Sequence, residues 1–220
     1  MPSFIQEIDE AIHYCIQSGW HTDALDAVMK FFSVICNHGE IWIAAALILA
    51  IIPKTRKFGF ALAFTMLIEF ALCDGIMKNI FRRERPYNSE FAALYGFHAY
   101  LDKLTSYSFP SGHSMVSAVA ATSIWQGEVH YLTNDIPKKQ VLKRHRLGII
   151  AVIVALIIIF SRIYLFMHWP SDVIAAGLIG VLLSVLLLRL VYWPLEEHFT
   201  RRHEEKKKAR NNNASGHEDN

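Results

Sequence analysis

The chain has 220 residues and a mass of 25.1 kDa; 53% of its residues are hydrophobic and 19% charged, and its mean hydropathy is +0.24. This many large apolar residues beside only three cysteines exclude a disordered chain, a collagen and a disulfide scaffold. A net charge of +2, from 22 Lys and Arg against 20 Asp and Glu, is too small to point to nucleic acid as a partner.

The averages hide a segregation. Residues 41–52, 147–160 and 173–188 carry no charge, whereas Glu196–Asn220 is almost wholly polar. A bilayer-spanning helix needs about 20 mostly apolar residues. The distribution therefore predicts an integral membrane protein whose surroundings are lipid.

In chain order, residues 1–22 open with MPSFIQEIDE, acidic and without the basic flank of a cleavable leader, so they are expected to stay on the chain as a candidate interfacial helix. Candidate spans follow at 23–36, 39–53, 58–81, from His113 to about Ile124, 147–167 and 170–193. The third carries Glu69, Asp74 and Lys78, and the sixth starts at Pro170, a favourable first-turn residue. The membrane domain is thus 23–195, an all-α bundle of six transmembrane helices, and 196–220 is a polar tail, part helix and part disordered. Cys15, Cys36 and Cys73 lie in or near apolar segments without CxxC spacing and read as buried free thiols.

Basic residues test the topology. Lys54, Arg56 and Lys57, then Lys138, Lys139, Lys143, Arg144 and Arg146, then Arg201 to Arg210, mark alternate connections as cytoplasmic, with both termini inside. The aromatic connection 82–112 breaks the rule with Arg82, Arg83, Arg85 and Lys103, although it should face outward. Those arginines need a local job.

Three stretches place polar groups at the outward ends of apolar helices: Lys78 to Pro86, Phe109 to His113, and Ser161 to Asp172. Each has an ordinary structural reading. Lys78 can snorkel, Arg162 can pair with Glu69 or Asp74, and a lone histidine is commonly just satisfied. Together, three cations, two histidines, a carboxylate and a glycine-opened helix start describe an anion site with a nucleophile and a proton donor. There is no acidic cluster to hold magnesium, so neither a metal nor another cofactor is expected.

The pattern Lys-(six residues)-Arg-Pro, then Pro-Ser-Gly-His, then Ser-Arg-(five residues)-His-(three residues)-Asp resembles the type 2 phosphatidic acid phosphatase (PAP2) superfamily across residues 23–193. The resemblance implies that His168 forms a phosphohistidine, Asp172 orients it and His113 protonates the leaving oxygen. It further implies that Lys78, Arg85, Arg162, Ser111 and Gly112 bind the phosphoryl oxygens, with Ser161 supporting them. Arg82 and Arg83 lie outside the pattern and are read as contacts to a second phosphate or to lipid headgroups, or as solvated charges. The implied activity is a metal-independent lipid phosphatase, its site extracytoplasmic in a bacterial plasma membrane. Undecaprenyl diphosphate is the leading substrate. Phosphatidylglycerophosphate, phosphatidic acid, a lipid phosphotransferase and, from another class, a lipid or phosphate transporter are the alternatives.

Overall fold

The computed structural model describes residues 3–133, 137 and 139–215; Lys138 of the basic connection and the last five residues of the tail lie outside that set. Among the described residues every regular element is helical. The first is α1, Ser3–Gly19, which buries Asp9, His13 and Ile16 along one stripe. Cys15 falls off that stripe and is exposed, so only Cys36 and Cys73 are the buried thiols expected. Helix α2, Asp23–Val34, starts where the Thr22 side chain accepts from the Leu25 amide at 3.3 Å.

Helices α3, Glu40–Ile51, and α4, Arg56–Phe70, pack on each other. Gly59 makes this possible, because a Cβ there would meet the Ala50 nitrogen at 2.3 Å. Beyond α4 the chain widens into a π-helical turn, Ala71–Met77, and closes with α5, Lys78–Phe81. A short 3-10 turn and α6, Glu90–Tyr95, follow, and much of 82–111 then runs irregularly to α7, Gly112–Gly127. After another π turn and α8, Val141–Arg144, come α9, Arg146–Tyr164, and α10, Pro170–Leu186.

Helix α7 is the hub, packed on α4 and α9, while α2 also packs on α9. Its small residues allow close approach, and its hydroxyls tie the bundle. Ser123 bonds both Thr65 and Ser184 at 2.9 Å, and Ser117 accepts from the Trp42 indole at 3.0 Å. At Gly180 of α10 a Cβ would meet the Met115 carbonyl oxygen at 2.7 Å.

The expected spans coincide in position with α2, α3, α4 and its extension, α7, α9 and α10. Three stretches are long and apolar enough to cross a membrane: Arg56–Tyr95, Arg146–Tyr164 and Pro170–Lys208. Helix α3 is apolar but has 12 residues, reaching roughly 18 Å against a hydrocarbon core of about 30 Å.

Residues up to Val185 form one compact unit and those from Leu186 a second. The second holds a π turn, Leu187–Tyr192, and α11, Trp193–Ser215. Of the tail expected to be part helix and part disordered, the helical part runs to Ser215, with an i,i+4 pair between Arg201 and Glu197 at 3.2 Å among its supports, and residues 216–220 lie outside the described set.

Candidate active site

Four chain segments meet at one end of the first unit. The π turn and α5 deliver Lys78; the irregular run after α5 delivers Arg85; the start of α7 delivers Gly112 and His113; the end of α9 and the loop before α10 deliver Arg162 and His168. These six residues line one cavity of about 340 Å³. Ser161 is not among the lining residues, and its hydroxyl donates back to the Ile158 carbonyl of its own helix at 2.6 Å. Ser111 is fully buried as the N-cap of α7 and accepts from the Ser114 amide at 3.4 Å and the Ser114 hydroxyl at 2.9 Å. That cap leaves the opening amides of α7 at the cavity, where Gly112 sits against Lys78: a Cβ there would lie in ordinary contact with Lys78 Nζ, at 3.6 Å.

The positive charge here is only partly compensated, by Glu69 and Asp74 in the cavity wall. Lys78 pairs with Asp74 at 2.5 Å. Among the described residues, however, neither Arg85 nor Arg162 pairs with a carboxylate. Arg85 donates to the carbonyls of Ser106 (2.8 Å), Met167 (2.9 Å) and Tyr107 (3.3 Å) and to the Ser106 hydroxyl (3.0 Å). Arg162, 1% exposed, bonds the Ser33 hydroxyl, and its Nε has no partner. An unpartnered buried donor beside a cavity is what an incoming anion would satisfy.

His168 sits in a buried loop, Leu165–Trp169, in which Phe166 adopts a left-handed φ of 60°. The tautomer follows from its neighbours. Nδ1 lies 2.7 Å from the Ser108 carbonyl, which only accepts, so Nδ1 carries the proton and Nε2 the free lone pair. Arg85 Nη1 lies 3.1 Å from Nε2. Burial, then Arg85, Arg162, Lys78 and His113, hold the His168 pKa well below its ordinary value, so the ring is neutral at physiological pH. His113 donates through Nε2 to the Ser33 carbonyl at 3.1 Å, for the same reason of acceptor-only oxygen.

Asp172 is not hydrogen-bonded to the imidazole. Its Oδ2 is 4.0 Å from His168 Nδ1, whose N–H is donated to the Ser108 carbonyl instead. Asp172 instead accepts from the Ser108 hydroxyl at 2.5 Å and from the Trp169 amide at 3.2 Å, the latter as third residue of α10 reaching back to its cap. Its other oxygen accepts from Arg83 at 2.5 Å. Arg83 is thereby corrected. It is committed to Asp172, Asp9, Gln6 and Ser171 and stacks over Trp169 at 5.3 Å, so it faces neither lipid headgroups nor a second phosphate. Arg82 is exposed, its Nε on the Asn79 carbonyl at 3.0 Å. Sequence reasoning missed Ser108 and Arg83 as supports of the site. The aromatics of 82–112 partly fold onto the same loop, Tyr87 and Phe91 clustering with Phe166 and Trp169.

Among the described residues no group of three His, Cys, Asp or Glu side chains is placed to hold a metal ion. The set instead combines anion-binding cations, a neutral imidazole with a free nitrogen and a second histidine, on a helical scaffold with membrane-length apolar helices. It defines a membrane enzyme acting on phosphate groups. Residues 54–196 match the model of the PAP2 superfamily, and the chain belongs to that superfamily as a lipid phosphatase. Its sequence is 31% identical over 170 residues to an undecaprenyl-diphosphatase of Sulfolobus acidocaldarius, covering 76% of this chain and 70% of that one. It is 33% identical over 127 residues to phosphatidylglycerophosphatase B of Bacillus subtilis, covering 56% of this chain and 54% of that protein. The fold is similar to the crystal structure of the transmembrane PAP2-type phosphatidylglycerolphosphate phosphatase of B. subtilis, with a TM-score of 0.66, 23% identity and 85% of each chain covered.

Proposed function

We propose that the protein hydrolyses a lipid diphosphate, undecaprenyl diphosphate first among candidates, through a phosphohistidine on His168. The observation that carries this reading is the His168 nitrogen, deprotonated and free of any carboxylate, facing a cavity whose three cations outnumber its two carboxylates, Glu69 and Asp74. In the first step the terminal phosphoryl oxygens bind Arg85, Arg162, Lys78 and the α7 amides. Nε2 attacks phosphorus, the P–O bond to the lipid phosphate breaks, and His113, its Nδ1 protonated as the anionic substrate binds, gives that Nδ1 proton to the departing oxygen. In the second step His113 takes a proton from water, whose oxygen attacks phosphorus and breaks the P–N bond. Inorganic phosphate leaves, and both histidines are restored. Asp172 stabilises the developing imidazolium through Ser108.

An apolar cavity of about 520 Å³ between α3 and α4 supports a lipid substrate, since it shares His38, Glu69, Phe70 and Val116 with the phosphate cavity. A lipid phosphomonoester is the second reading, favoured by the likeness to the B. subtilis phosphatidylglycerophosphatase B. We further propose six membrane crossings, with this site outward and both termini inward. Arg56 and Arg146 start α4 and α9, whereas the site gathers at the far ends of the same helices.

Phosphate release by purified protein in excess EDTA, from undecaprenyl diphosphate, phosphatidylglycerophosphate and phosphatidic acid in parallel, tests the reading. Turnover that His168→Ala abolishes is expected. Absence of turnover with all three lipids, or full activity of His168→Ala, overturns it, and labelling of 87–108 only from inside overturns the topology.

A further inference from the structure

Asp172 is fully buried, and a carboxylate at that depth needs a counter-charge. That charge comes from Arg83, which does not line the phosphate cavity. Its Nη1 donates to Asp172 at 2.5 Å and to the Ser171 hydroxyl at 2.7 Å; its Nη2 donates to Asp9 at 2.7 Å and to the Gln6 side chain at 2.9 Å. Asp9, 1% exposed, in turn accepts from the Ser171 amide at 2.8 Å and hydroxyl at 2.5 Å, gripping the first turn of α10. One turn further along α1, His13 donates to the His168 carbonyl at 3.2 Å.

We propose that Asp9 and Arg83 are positioning residues: an ion relay by which α1, outside the family-matched region 54–196, fixes the Asp172–Ser108–His168 line. The inference rests on the phosphatase mechanism above. Every donor of the Arg83 fork that reaches α1 or α10 is spent on protein acceptors, so its chemistry is exhausted in holding Asp172 and Ser171 together. Asp9 touches nothing in the cavity and acts only through Arg83 and Ser171.

Arg83→Lys keeps the charge and loses the fork; Asp9→Asn keeps the shape and loses the charge. Both are assayed in the full chain for kcat, KM and inhibition by inorganic phosphate. A geometric misplacement of the nucleophile lowers kcat by roughly 10²-fold for Arg83→Lys and roughly tenfold for Asp9→Asn. KM and the phosphate inhibition constant stay within about twofold, because Lys78, Arg85 and Arg162 are untouched. The double variant falls no further than Arg83→Lys alone. Wild-type kcat in either folded variant, equal losses in phosphate affinity, or multiplicative losses in the double variant overturn the relay. Should Arg83→Lys aggregate on size exclusion, Asp9→Asn decides by the same criteria. A wild type that turns over no lipid phosphate overturns the proposed function itself; an active wild type beside a fully active Arg83→Lys overturns the relay alone.

Discussion

Acidification should loosen α1 from the loop that carries His168, through His13. Its ring is fully buried, edge-on to Phe166 at 4.7 Å and Trp169 at 5.4 Å, with Nδ1 unpartnered. Burial lowers its pKa from 6.5 to about 4, despite the raising effects of the His168 carbonyl and Asp9, and Arg83 lowers it slightly more. Between those values the unfolded chain binds a proton that the folded chain refuses. The stability from a neutral His13 is therefore full above pH 6.5 and is lost as pH falls toward 4. The gap amounts to roughly 3 kcal/mol, lost at about 1.4 kcal/mol per pH unit.

His168, depressed in the same direction, adds its own acid sensitivity, so the informative quantity is a difference between two proteins. The His13→Gln variant keeps an N–H for the His168 carbonyl and removes the titration. Denaturant unfolding in detergent, from about pH 7.5 to about pH 4.5, should give a wild-type-minus-variant curve that is flat above the histidine range and falls below it with the one-proton slope. Parallel curves across the whole range would refute the assignment of a neutral, buried His13.

Three further outcomes are expected. Ser111→Ala should lower stability by about 1 kcal/mol through the lost cap of α7 while phosphate inhibition is unchanged; tenfold weaker inhibition would show that the hydroxyl binds substrate. Arg162→Lys, which loses the planar fork at a fully buried position, should lower kcat/KM by roughly 10²-fold at unchanged secondary structure, and near-wild-type turnover would remove Arg162 from the phosphate cage. Gly180→Val should destabilise by about 1–3 kcal/mol, because its Cβ would press on the Met115 carbonyl; an unchanged unfolding midpoint would show that α7 and α10 can part.

Much of this was legible in the sequence because hydropathy and residue type are local. The uncharged runs located α3, α9 and α10, and the spacing of Lys78, Arg85, His113, Arg162 and His168 announced residues that the fold brings to one cavity. The π turns at Ala71–Met77 and Leu187–Tyr192 were not legible, since an apolar run does not encode which carbonyl each amide chooses. Ser108 escaped for a similar reason: its contact with His168 uses a backbone carbonyl that any residue carries. Arg83 did leave a signal, as an arginine in a connection that the charge rule expected to carry none. A second phosphate, lipid headgroups and solvent were the partners considered, and the observed one, Asp9, lies 74 residues away on a helix that looked merely interfacial. The trace of that contact was there too: Asp9 and His13, one turn apart, are polar residues on the stripe α1 buries.

On the proposed mechanism, the charges that bind phosphate also keep the nucleophile ready for it. A protonated His168 could not attack, and in a cavity rich in carboxylates an imidazole would be held protonated. Here burial, Arg85, Arg162 and Lys78 all act against protonation, so Nε2 stays a lone pair while the site is empty of anions. The nearest cation, Arg85, already points a donor at that lone pair from 3.1 Å. On the proposed mechanism an arriving phosphate draws the guanidinium onto its own oxygens and neutralises the cations that suppressed the basicity of His168. Nucleophilicity then rises only where there is phosphorus to attack. Asp172 must for this reason sit one hydroxyl away and not on the ring itself. A carboxylate in direct contact with Nδ1 would favour the imidazolium before substrate binds, whereas the Ser108 carbonyl fixes the tautomer with no net charge and passes the stabilisation on only as the phosphohistidine forms.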